Sequence, residues 1–225
     1  MYNHGPRGLL IATPTHDGKL DHSYVTSLVK TLKRDVGMSV DTYFLAYDSL
    51  IQSARNRILE YALRNAYEYT LFIDSDISWD SRWVKKMIDS KKDVISGVYK
   101  TKREDVEEYA VSYHPDRLSI NEDGLAKVAG VGFGFIMLSK DALGYLWAHS
   151  NSDPYYDYES HSTYKNIFEV KIIENELYSE DMIACKKLRD GGFDIYIDPE
   201  MECIHTGYKK YSGDFKKRFN KNVHA

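Results

Sequence analysis

The sequence predicts an α/β fold built on a mixed, mainly parallel sheet with helices on both faces. Three observations carry that expectation. Short apolar runs alternate with stretches of helical period through the first hundred residues, and the intervening lengths suit right-handed βαβ units. Past residue 100 the pattern changes to short β-rich segments around a turn signal, which adds a mixed or antiparallel extension.

Residues 9–12, Leu-Leu-Ile-Ala, read as a strand ending at the loop 13–18. A helix follows, carrying Tyr24, Val25, Leu28, Val29 and Leu32. Residues 39–47 are β-rich, 51–66 strongly helical, and 69–73 a buried strand. Residues 81–90 place Trp83, Val84, Met87 and Ile88 at helical spacing, and 93–99 form another strand. In the second half, 109–113, 118–120 and 127–131 are short strands, two of them joined through Asn121-Glu122-Asp123-Gly124. Then come a strand at 133–138, a helix at 140–149, a polar tyrosine-rich loop at 151–166, a helix at 180–189, a strand at 194–197 and a short run to His205. The sequence shows no internal repeat and no linker, so one domain of 225 residues is expected: a nucleotide-binding half (1–100), a metal and acceptor half (101–207) and a basic tail (208–225).

Composition limits the partners. The 30 basic and 34 acidic residues give a net charge of −4, without the broad positive field of a nucleic-acid binder. No apolar run approaches the ~20 residues of a membrane span, and residues 1–7 lack a leader pattern, so a cytoplasmic protein is expected. Cys185 and Cys203 lack metal-ligand spacing and read as reduced core residues.

The buried strand at 69–73 runs into Asp74-Ser75-Asp76. Alternation in a strand puts both carboxylates on one side of the pleat, at the sheet edge where α/β ligands gather. Together they suit one Mn2+ or Mg2+ ion with positions left open for a diphosphate, whose departure the ion would assist. Helix capping is the plainer role, but Ser78 and Asp80 stand nearer the next helix.

Arg55 falls inside the apolar stripe Ile51, Ala54, Ile58, Leu59 and Ala62, so its guanidinium needs a carboxylate or a bound phosphate; Arg57 points to solvent. Asp48 suits either a turn or contacts to a base or ribose. Asp181 aligns with Cys185 and Leu188 on the inward face of its helix, while Glu180 points away, making Asp181 the candidate base. Acids there also suit the helix dipole. His205 is a structural histidine or an extra metal ligand. The glycines of Gly130-Val131-Gly132-Phe133-Gly134 allow close approach to a ligand but precede a strand, unlike a dinucleotide loop. Tyr155, Tyr156, Tyr158 and Tyr164 form an ordinary surface loop or a sugar-stacking one.

In order and spacing, several segments resemble the GT-A glycosyltransferases, particularly the short ones of phages and large DNA viruses. These are Thr13-Pro14-Thr15, the run 49–57, Asp74-Ser75-Asp76, Val98-Tyr99, Gly132-Phe133-Gly134-Phe135, Glu180-Asp181 with Cys185, and His205-Thr206-Gly207. The resemblance implies the GT-A, Rossmann-like variant of the fold. It further implies a nucleotide held by Thr13, Pro14, Thr15 and Asp48, manganese on Asp76 and His205, Asp74 near the ribose, and an acceptor facing Glu180 and Asp181. The expected activity is metal-dependent transfer of a sugar from a nucleotide-diphosphate donor such as a UDP-sugar; the resemblance leaves inversion and retention open, and Asp181 as base fits inversion. Arg55, Ser75 and Gly132 complete the expected donor site, and the acceptor is a glycan or glycoprotein, in host cytoplasm if the protein is viral. A sugar-phosphate nucleotidyltransferase would need a glycine- and lysine/arginine-rich loop after the first strand, which 13–18 lacks. A non-catalytic carbohydrate-binding module is the remaining alternative.

Overall fold

A computed structural model describes residues 7–113, 118–150, 154–158 and 160–219; positions 220–225 of the expected basic tail and positions 151–153 and 159 of the expected tyrosine loop lie outside them. The first half alternates as predicted, with one short strand, β4, that the sequence did not announce: β1 (Arg7–Thr15), α1 (His22–Leu32), β2 (Val40–Ala46), α2 (Ile51–Arg64), β3 (Tyr67–Ile73), β4 (Ile77–Ser78), α3 (Arg82–Asp89) and β5 (Val94–Tyr99). The second half holds β6 (Val111–Ser112), β7 (Ala126–Val128), β8 (Gly130–Val131), β9 (Phe135–Ser139) and α4 (Lys140–Ala148). Two hairpins follow, β10 (Pro154–Asp157) with β11 (Ser162–Lys165) and β12 (Lys171–Ile173) with β13 (Glu176–Tyr178). The chain continues through α5 (Glu180–Asp190), β14 (Ile195–Thr206), β15 (Lys210–Tyr211) and a 3₁₀ turn, Phe215–Arg218.

The strand order β15-β14-β5-β9-β3-β1-β2 makes a mixed sheet. β2, β1 and β3 pair in parallel, as do β5 and β14, and β9 runs antiparallel between the two groups. The sheet is covered on both faces, so its central strands are apolar at nearly every position. Leu10, Ala12, Phe72, Ile136 and Leu138 pack with Ile58, Leu59, Leu143, Leu146 and Leu188 of α2, α4 and α5. The alternate residues Leu9, Ile11, Leu71, Ile73 and Met137 pack with Tyr24, Leu28, Val84 and Met87 of α1 and α3. Both cysteines are free and buried.

Four expectations change. In α1 the inward stripe is Tyr24, Ser27, Leu28 and Thr31, while Val25, Val29 and Leu32 are exposed. Buried Trp79 imposes this, its backbone N–H bonding Ser27 Oγ at 3.0 Å and its indole N–H bonding Thr31 Oγ1 at 2.9 Å. The tyrosine-rich segment is a hairpin, with Tyr155 opposite Tyr164. A second hairpin, turning on Glu174 and Asn175 at positive φ, had no sequence signal. Finally, Ile195–Thr206 is one long strand whose register shifts between Ile197 and Glu202, the stretch that contains Pro199.

Candidate active site

The ends of β1, β2, β3, β5 and β14 and the start of β9 meet at one edge of the sheet, and the predicted acidic residues gather there. Strand β3 ends at Ile73, and a turn begins with the Ile77 N–H bonding the Asp74 carbonyl at 3.1 Å. Asp74 and Asp76 therefore do not share one side of a pleat, and each carboxylate engages different partners. Asp80, by contrast, takes up the start of α3 as expected, its Oδ1 accepting from the Arg82 N–H at 2.9 Å.

Asp74 belongs to a cluster around Arg55. The guanidinium is 4% exposed, donating from Nη1 to Glu180 Oε1 at 2.8 Å and from Nη2 to Asp74 Oδ1 at 3.3 Å, with Asp181 Oδ2 at 3.9 Å. It also lies over the Phe133 ring, 5.6 Å from the centroid. Burial opposes its charge, but Asp74, Asp181 and Glu180 more than compensate and raise its pKa. Glu180 thus faces inward, against expectation, because the first residue of a helix can reach back past the helix end where the 3.6 period has little hold. Burial and neighbouring Asp181 push the Glu180 carboxyl up, against the pull of Arg55. Asp181 also accepts from Ser179 Oγ at 2.6 Å.

Asp76 belongs to a second cluster. Its Oδ1 lies 3.4 Å from His205 Nε2, and its Oδ2 pairs with Lys102 Nζ. The fold brings them together twice: β4 pairs with β14 so that Ile77 faces His205, and the Thr206 N–H bonds the Asp76 carbonyl at 2.8 Å. His205 Nδ1 is 3.1 Å from the Lys100 carbonyl, which can only accept a hydrogen bond, and the ring so held turns Nε2 toward Asp76. Burial would raise the Asp76 pKa, but the contacts from His205 and Lys102 prevail and lower it. An oxygen and an imidazole nitrogen facing one another, the latter oriented by a carbonyl, suit a divalent cation that keeps other positions for ligand oxygens. Among the described residues no group of three such side chains forms a closed metal cage.

Most of the other predicted residues have structural partners. Thr13 is fully buried and shares a hydrogen bond with Tyr24; Pro14 pairs with Leu45 across β1 and β2; Thr15 Oγ1 is buried with no partner among the described residues. The Ser75 carbonyl accepts from the N–H of Asp21, the N-cap of α1. Asp48 Oδ1 accepts from the Leu50 N–H at 3.0 Å, and its other oxygen is 3.5 Å from Arg57, which is thereby turned away from solvent toward Asp48 and Asp157. Gly132 and Gly134 admit the Tyr99 ring, and the Gly134 N–H donates to the Tyr99 hydroxyl at 3.0 Å.

Lys102, Tyr99 and Asn56 were absent from the expected site. Buried Asn56 receives the N–H groups of Ile167 and Phe168, both at 2.9 Å, on its side-chain oxygen, holding the segment before β12 against α2. A polar residue directly after Arg55, beside the apolar stripe, was the available signal; Lys102, in a run of mixed charges, had none.

No family model and no curated protein sequence matches the chain. Its fold does have a counterpart. The crystal structure of A197 from STIV matches with a TM-score of 0.56 and 16% identity, over 89% of this chain and 86% of that one. At that identity the likeness is one of fold, and it spans both halves of the mixed sheet. No helix among the described residues is long and apolar enough to cross a membrane.

Proposed function

We propose that the chain is a GT-A glycosyltransferase that moves a sugar from a nucleotide-diphosphate donor, of the UDP-sugar class, to a glycan or protein-linked acceptor. The observation that carries this reading is the pair of carboxylate clusters at the sheet edge where ligands of α/β folds bind, one suited to a cation and one beside it holding the candidate base. Asp76 and His205 would hold a divalent ion, whose charge, when it is bound, would offset that of the diphosphate leaving group. Asp74 and Ser75 line the donor side, with Thr15 and Asp48 at the neighbouring strand ends. Asp181 takes the proton of the acceptor hydroxyl as its oxygen attacks the anomeric carbon and the bond to the diphosphate breaks, giving inversion. Arg55 keeps Glu180, Asp181 and Asp74 in register. A groove of about 340 Å³ between the start of α2 and the tyrosine hairpin, lined by Ser53, Asn56, Tyr155 and Asn166, offers hydroxyl and amide groups of the kind that bind sugars.

The test is release of nucleoside diphosphate from a panel of nucleotide-sugars, with Mn2+ and with chelator. Wild type should turn over at least one donor only with the ion, and Asp76→Ala should abolish it. Turnover that survives both chelation and Asp76→Ala would sink the reading.

A further inference from the structure

We propose that Lys102 is a built-in occupant of the cation position, holding Asp76 until a divalent ion displaces it and thereby setting the affinity for that ion. The inference rests on the reading of Asp76 and His205 as metal ligands. Of the charged side chains in its loop, Arg103 pairs with Asp105 and Glu108, and Glu104 pairs with Lys209; Lys102 alone turns inward to Asp76. Its stem reaches there across Gly207, where an added Cβ would stand 3.3 Å from Lys102 Cδ and 3.5 Å from Cε. The ammonium satisfies Asp76 Oδ2, leaving Oδ1 facing His205 Nε2 at 3.4 Å.

An ion held by Oδ1 and Nε2 would carry two positive charges onto a carboxylate already neutralised by one. The ammonium and the ion then compete for a single negative charge, and the ammonium is the group able to leave. Its side chain is 39% exposed, and its flexible four-carbon stem can carry the charge to solvent or to the phosphate oxygens of a donor arriving with the metal. Lysine thus keeps an acidic site neutral when no donor is present, and gives up Asp76 when the stronger cation arrives.

The experiment is Mn2+ titration of the whole chain, followed by calorimetry and by the paramagnetic resonance signal of free Mn2+, for wild type, Lys102→Met, Lys102→Arg and Asp76→Asn. Lys102→Met should bind Mn2+ about three- to fivefold more tightly than wild type, the range expected from losing one half-exposed ion pair. Lys102→Arg, which keeps the charge, should stay at the wild-type affinity, and Asp76→Asn should lose the site. If Lys102→Met binds Mn2+ no more tightly than wild type while Asp76→Asn abolishes binding, the competition is refuted and the metal reading stands. If no variant shows binding that depends on Asp76, the metal reading fails and the role of Lys102 with it.

Discussion

Replacing Arg55 by methionine keeps most of the side-chain volume and removes only the charge and its donors, so it isolates what the guanidinium does. Three carboxylates then face one another without a cation: Asp74, Glu180 and Asp181, with side chains 31%, 13% and 19% exposed. Removing one partner of a fully buried pair typically costs ~3–5 kcal/mol. Partial exposure lets water relax around Asp74 and Asp181, so the lower end, about 3 kcal/mol, is expected at neutral pH. For a chain of this size that corresponds to a melting temperature lower by roughly 6–12 °C. The penalty is electrostatic and must shrink as the carboxylates take up protons. Urea unfolding of both proteins at pH 7.5 and near pH 4 measures it. A variant as stable as wild type, or equally weakened at both pH values, would refute the assignment of Arg55 as the counter-ion of this cluster.

The Glu180 carboxyl, raised above its usual 4.5, binds its proton more tightly in the folded chain than in the unfolded one. Its contribution favours folding below that value and is lost as pH rises through the raised pKa, so stability should decline less steeply with pH in Glu180→Gln; parallel urea-midpoint curves would contradict this. Asn56→Ala strands the buried N–H groups of Ile167 and Phe168 and should destabilise by on the order of 3 kcal/mol, measured by urea unfolding. Gly134→Ala would put a methyl 2.7 Å from the Tyr99 ring and 3.1 Å from Asp74 Oδ2. It should cost about 1–3 kcal/mol and weaken any donor binding, read by thermal shift against nucleotide-sugars.

The longer strands of the first half were legible because β1, β3 and β5 carry apolar runs, β2 is rich in β-forming residues, and the helices between them carry stripes. The direction of β9 was not, since a strand buried on both faces has the same pattern whichever way it runs. The hairpins escaped notice because their turns use residues such as His161, Glu174 and Asn175 at positive φ in place of the usual glycine. At the site, inward-facing Arg55 was predicted from periodicity, and the closeness of Asp76 and His205 was implied by the family resemblance alone. The pairing of Asp74 with Arg55, and of Asp76 with Lys102, depends on a turn at 74–77 that no local pattern specifies.

Strand β14 is the last long strand in the sequence, yet it lies inside the sheet, with β5 on one side and β15 on the other, and it carries His205 at its far end. A chain that has assembled everything up to α5 therefore has its acidic turn, its arginine and its candidate base but no histidine beside Asp76. Contacts between residues more than a hundred positions apart form slowly. Competence at the metal position should accordingly appear late in folding, as a single step when β14 docks, and a partly folded chain would hold its acidic residues without the means to use them.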